Sequence, residues 1–214
     1  MMKFTLLFLF ITFQAFVFGQ EPLSYRGVAL YSGDLVFVGA QREHLSGAIN
    51  RVTQRTADVS FDHVGLIELA EGQPYVLHAT GSKGSVREPL DSLLKRGEQK
   101  ETTFVVYRVS EVFRAAIPEA IERARSMLGK PYNWSYVLND TSYYCSDFIE
   151  RAFRSVSLFS LEPMTFVNPQ TGKVDDFWLV FYEKLGIEAP EGKIGCNPNG
   201  LAANEHVQRI GVFQ

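Results

Sequence analysis

Cysteine and histidine are scarce in this chain, and positive charge is not in surplus. It has two Cys and four His among 214 residues. Two cysteines are too few for a disulfide-braced scaffold. No Cys-x-x-Cys or His-x-x-x-His pair is present to begin a zinc site, so neither metal nor cofactor is expected. With 21 Lys+Arg against 24 Asp+Glu the net charge is −3, which removes the electrostatic case for binding nucleic acid or an anionic membrane. Internal repeats, low-complexity tracts and interdomain linkers are also missing. What remains, 46% hydrophobic and 21% charged, is the composition of one globular domain long enough to bury a sizeable core.

Phenylalanine is the one surplus, and it is concentrated at the start. Six of the 17 Phe lie at positions 4, 8, 10, 13, 16 and 18. Met1–Lys3 reads as a basic leader, Phe4–Phe18 as an apolar stretch, and Ala15, Val17 and Gly19 as a small-residue exit. The stretch is interrupted by Thr5, Thr12 and Gln14 and is shorter than the ~20 residues a spanning helix needs. Residues 1–19 are therefore expected to be a cleaved signal peptide, and 20–214 an exported, periplasmic or secreted domain with no transmembrane segment.

In the first half, Leu35–Val38, Phe61–Leu69, Tyr75–Ala79 and Phe104–Val109 are predicted strands. Leu45, Ala48, Ile49 and Val52 recur at helical spacing and predict a helix over His44–Thr53. Leu90, Leu93 and Leu94 predict a helical turn ending at Gly97. In the second half, Ala116, Ile117, Ala120, Ile121, Ala124 and Leu128 form one apolar stripe, closed by Gly129 and Pro131. Further helices are expected from Cys145 and over Val174–Leu185. The tail beyond Gly186 reads mostly as loop, as do Lys83–Arg87 and Leu158–Lys173, where substrate specificity is expected.

Chemistry has few places to reside. Cys145 opens an apolar-striped helix, where the macrodipole and unpaired N–H groups favour a thiolate and can hold an oxyanion. His63 and His78 lie on neighbouring predicted strands, whose adjacency brings both imidazoles to one sheet face. Together these predict a Cys-His-polar triad. A Cys145–Cys196 disulfide remains the alternative. Alternation on the strand and 100° steps on the helix point Asp62 and Asp147 away from the proposed catalytic residues, and His44 and His206 read as surface residues.

Gly33-Asp34-Leu35-Val36-Phe37, Asp62-His63-Val64-Gly65, Val76-Leu77-His78-Ala79, Leu128-Gly129-Lys130-Pro131-Tyr132 and Tyr144-Cys145-Ser146-Asp147-Phe148 follow one another in this order. Together they resemble the circularly permuted papain-fold hydrolases of the YiiX/YaeF type, within the NlpC-like superfamily. The resemblance spans roughly Tyr31–Phe153, and Gly195–Gly200 is also similar to C-terminal segments of that family. It implies an α+β fold in which an antiparallel sheet packs against the cysteine helix, the histidine strand coming first in the chain. It makes Cys145 the nucleophile, His63 the base and acid, and His78 the third polar residue, at a place where many members are expected to carry glutamate. Histidine there is more like the lecithin:retinol acyltransferase relatives. Tyr144 and Tyr132 are expected to line the site. Three readings follow: an amidase or peptidase acting on a small peptide or acyl-amino acid, an acyltransferase acting on a lipid ester or amide, and a ligand-binding domain without catalysis. Oligomeric state is left open.

Overall fold

The computed structural model describes residues 21–55 and 59–213; the expected signal peptide at 1–19 lies outside them. Runs of β-branched and aromatic residues pair into one six-stranded sheet. Its strands are β1 (Leu35–Gly39), β2 (Phe61–Ala70), β3 (Gln73–Thr80), β4 (Gly84–Pro89), β5 (Phe104–Val109) and β6 (Val207–Val212). Their order is β6-β5-β1-β2-β3-β4, and every neighbouring pair is antiparallel. The helices are α1 (His44–Thr53), α2 (Leu90–Glu98), α3 (Ile117–Ser126), α4 (Cys145–Ala152), α5 (Asp176–Leu185) and α6 (Pro198–Ala202).

Strand alternation sorts the apolar residues onto two faces, and each face has its own cover. Val64, Leu66, Leu77 and Ala79 pack with Ala120 and Ala124 of α3 and Phe148, Ile149 and Ala152 of α4. Val36, Ile67, Val76 and Val106 pack instead with Leu90, Leu93 and Leu94 of α2 and with Val28 and Leu30. The latter two belong to a short hairpin, Leu23–Tyr25 with Val28–Leu30. The mixed α/β architecture and its antiparallel sheet agree with expectation. Among the described residues no helix is long and apolar enough to cross a membrane.

Two irregularities in the sheet shape the site. β2 and β3 pair from Leu66↔Leu77 to Ala70↔Gln73, so ahead of Leu66 the strands part and open a seam. On the other edge of β2 the register with β1 shifts between Val38 and Gly39, which face His63 and Phe61, leaving Asp62 as the extra residue of a bulge. Bulges commonly re-aim side chains in this way.

Two segments expected to be loop are strands. Lys83–Arg87 contributes most of β4, and the tail returns to add β6 against β5, with its own register shift between Arg209 and Gly211. The expected helix from Ala116 is also resolved further: Glu111–Ala116 is a 3₁₀ turn that leads into α3. Gly84 explains how β4 is anchored. Its φ is +69°, and a side chain there would run into the Lys130 carbonyl. Ser85 N–H donates to that carbonyl at 2.8 Å, and Gly129 N–H donates to Ser85 O at 2.8 Å. The Gly-Lys-Pro-Tyr segment is thereby docked on β4, and Tyr132 bridges to Tyr143 just ahead of α4.

Candidate active site

Cys145 is the first residue of α4, preceded by Tyr144 in extended conformation. The helix starts there because Tyr144 leaves helical dihedrals while its carbonyl already accepts from Phe148 N–H at 2.9 Å. Phe148, Ile149 and Ala152 bury the inner side of the helix against the sheet. Its N-terminus faces a cleft of about 420 Å³ whose walls include Ile49, Val52, Phe159, Phe166, Trp178 and Leu201. Asp62, Tyr132, Tyr144 and Cys196 also line it, with Arg55 and Glu162 supplying charge. The loop expected to govern specificity, Leu158–Lys173, does contribute to this wall.

The Cys145 thiol lies 3.9 Å from the Asp62 carbonyl, to which it donates, at the seam between β2 and β3. Burial pushes the thiol up to about 12, and the Asp62 carboxylate adds to the shift. The N–H groups of Val64 and Ser146 and the Tyr132 hydroxyl pull the other way and are outweighed. A helix N-terminus by itself favours a thiolate, but loss of solvation outweighs it here and reverses the sign. Tyr132 stands beside both the thiol and the Cys145 backbone N–H.

Asp62 corrects the sequence reading. It lines the cleft together with Cys145, and burial raises its own carboxyl to about 6. Alternation does separate Asp62 from His63, but Asp62 is the residue on the cysteine side. Asp147 behaves as expected: it is fully buried against Arg151, 2.6 Å away on the next turn of α4.

The two cysteines are both buried and both free, so the disulfide alternative is not realised. Cys196 helps hold the loop over the head of α4. Its N–H donates to the Tyr144 hydroxyl at 3.2 Å, and its carbonyl accepts from the Ser146 hydroxyl at 3.1 Å. Three residues on, the Asn199 side-chain carbonyl accepts from Phe61 N–H at 2.7 Å and its amide donates to Thr53 and Ser60. This pins the start of β2, and hence Asp62 and His63, against α6.

His63 and His78 share one sheet face, as expected. His63 Nε2 lies 2.8 Å from His78 Nδ1. The pair continues to a residue the sequence did not single out: His78 Nε2 lies 3.0 Å from Glu88 Oε1 on β4. Glu88 also accepts from Lys83 Nζ at 3.0 Å and from both terminal nitrogens of Arg96 on α2. Its only signal in the sequence is being an acid ten residues after His78, which becomes informative once β3 and β4 are known to pair. The His78 hydrogen bond, aided by Arg96 and Lys83, holds the Glu88 carboxyl well below the usual carboxylate range. Burial lowers both imidazoles, His63 to about 3, so both are neutral at pH 7.

Cys145 and His63 are not hydrogen-bonded to one another among the described residues. His78, between Leu77 and Ala79, projects toward α2, whereas Cys145 comes from the α4 side. Among the described residues the thiol meets β2 through the Asp62 carbonyl and the Val64 N–H, and no hydrogen bond joins it to either imidazole.

Comparison with known proteins gives concordant results. Residues 29–211 match the family described as permuted papain-like amidase enzymes of the YaeF/YiiX type, the C92 family. The uncharacterized protein YiiX of Escherichia coli K12 is 27% identical over 125 residues, 58% of this chain and 57% of that protein, so the aligned part spans little more than half the relative's length. The crystal structure of the metalloprotein yiiX from E. coli O157:H7 superposes with a TM-score of 0.68 at 22% identity, covering 84% of this chain and 96% of that one.

Proposed function

The chain belongs to the permuted papain-like amidase family of the YaeF/YiiX type, and on that premise we propose that it is a cysteine amidase with Cys145 as nucleophile and His63 as its base and acid. The observation that carries this reading is the convergence at Cys145. A thiol, its own N–H and the Tyr132 hydroxyl meet at one end of the cleft, beside β2, whose His63 is hydrogen-bonded to His78 of β3.

The resting pair is neutral, with the thiol proton given to the Asp62 carbonyl. For the reaction we propose that β2 turns at its Asp62 bulge to bring His63 to the cysteine side, the thiol leaves the Asp62 carbonyl, and its proton passes to the free nitrogen of His63. Sulfur attacks the amide carbon, and the oxyanion receives the Cys145 N–H and the Tyr132 hydroxyl. His63 protonates the leaving amine and then deprotonates water, which hydrolyses the thioester and restores the thiol. A neutral starting pair suits groups as buried as Cys145 and His63, where a standing ion pair would be costly to desolvate.

The apolar part of the lining, from Ile49, Val52, Phe159, Phe166, Trp178 and Leu201, fits a substrate whose acyl side is apolar, such as an N-acyl amino acid, a lipid amide or a peptide with a large apolar residue. Export by the segment at 1–19 completes the reading and directs it to substrates of the cell envelope or the medium. The acyltransferase and non-catalytic alternatives gain no observation of their own. The description of the E. coli O157:H7 relative as a metalloprotein raises the question of a metal. Among the described residues no three His, Cys, Asp or Glu side chains converge to hold an ion. His63, His78 and Glu88 turn their facing atoms on one another, so the mechanism is built on this chain's own groups.

The test is Cys145→Ala, assayed for release of amine from a panel of N-acyl amino acids of increasing chain length. Activity is expected to fall by about three orders of magnitude or more with the melting temperature kept. Turnover persisting in that variant would sink the assignment.

A further inference from the structure

The strongest unassigned feature is the acid behind the imidazole pair. Glu88 is nearly buried, its side chain 9% exposed, and the groups around its carboxylate are donors: His78, Lys83 and Arg96. An ionised carboxylate can only accept, so the hydrogen on His78 must sit on Nε2. A neutral His78 then has its lone pair on Nδ1. The 2.8 Å contact with His63 therefore requires the hydrogen of His63 to sit on Nε2. This leaves Nδ1 of His63 as the nitrogen with a free lone pair.

We propose that Glu88 is a positioning residue of this site: it acts through His78 to fix the tautomer of His63 and to balance the charge His63 acquires when it takes the thiol proton. The inference rests on the reading of Cys145 and His63 given above and extends it by one residue on β4. When the proton moves from Cys145 Sγ to His63 Nδ1, the His63 Nε2–H stays bonded to His78, and the Glu88 charge lies directly beyond. A histidine at the third position thus keeps a carboxylate in the relay, one bond further out than where glutamate was expected. Arg96 from α2 holds both carboxylate oxygens, sharing Oε1 with His78, and Lys83 from the β3–β4 turn holds Oε2.

The groups facing the relay are therefore His63 on β2, His78 on β3, Lys83 and Glu88 around β4, and Arg96 on α2. Glu88→Gln removes the charge and offers His78 either an accepting oxygen or a donating amide, so the tautomer is no longer fixed. Glu88→Asp retains the charge and shortens the reach.

The probe is iodoacetamide, which needs no assumption about substrate, with labelling followed at Cys145 by peptide mass analysis because Cys196 is also free and lines the same cleft. Its rate is measured against pH in the full chain, alongside ¹⁵N spectra of the imidazoles. Glu88→Gln is expected to slow alkylation at pH 7 by about tenfold or more, within the range general bases contribute. The deficit should shrink as pH rises and hydroxide takes over, and Glu88→Asp should recover part of the rate. The His63 spectrum should change from a single tautomer to a mixture. A folded Glu88→Gln protein with the wild-type pH profile and tautomer would overturn the proposal. His63→Ala separates the two levels. If it slows alkylation and Glu88→Gln does not, only the role of Glu88 fails; if neither does, the reading of His63 fails as well.

Discussion

Asp62 and Cys145 are the two residues whose roles depend most on surroundings that a motif does not show. The thiol carries an uncommonly high proton affinity because it is buried and because a carboxylate shares its cleft. Replacing Asp62 with Asn removes that carboxylate and keeps the shape. The sign follows directly: a nearby negative charge disfavours the thiolate, so removing it lowers the thiol pKa from about 12. Asp62→Asn should move the alkylation profile of Cys145 to lower pH and speed the reaction at pH 8. An unchanged profile would mean that the carboxylate does not reach the thiol. Cys145, His63 and His78 are legible because cysteine and histidine are scarce here and each sits in a recognisable local pattern. Asp62 is not, because strand alternation tells which residues share a face without telling which face the nucleophile will approach. Tyr132 and Tyr144 do line the cleft, and the structure separates them: Tyr132 stands at the thiol, while Tyr144 is spent on Cys196.

Strands and helices are legible where their apolar pattern is strong. His44–Thr53 and Phe104–Val109 have the bounds their spacing predicts. β4 does not, because Gly-Ser-Val-Arg-Glu-Pro has neither alternation nor a β-branched run and sits at the sheet edge. Its strand character comes from pairing with β3 and from its contacts to the Gly129–Tyr132 segment. That dependence makes Gly84 testable. Gly84→Ala introduces a Cβ against the Lys130 carbonyl at a left-handed φ. The expected cost is about 1–3 kcal/mol, read by urea denaturation, together with reduced activity from a displaced Tyr132. Wild-type stability in this variant would show that the β4 turn relaxes freely.

For the whole molecule the buried imidazoles set how stability depends on pH. His63 and His78 both have folded pKa values below the unfolded ~6.5 of histidine. Below that pH the unfolded chain binds protons that the folded chain refuses, so these groups favour folding fully only above about pH 6.5. Asp62 and Asp147, each raised to about 6, act in the opposite sense between about pH 4 and 6. The imidazole contribution should therefore be cleanest from pH 6.5 down to 6, where the melting temperature is expected to fall on acidification. His78→Gln should flatten that slope, and an equal slope in the variant would show that His78 is not buried neutral.

The sequence by itself determined the fold class, the order of histidine strands before the cysteine helix, and which side chains are candidates for chemistry. Periodicity, turn residues and local motifs are short-range properties, and they survive without coordinates. Only the tertiary structure decided that the thiol rests protonated, that Asp62 rather than Asp147 faces it, that the two cysteines stay apart, and that the imidazole pair ends on Glu88. Each of these depends on solvent exclusion or on strands meeting across the sheet, and neither is written in any one stretch of chain.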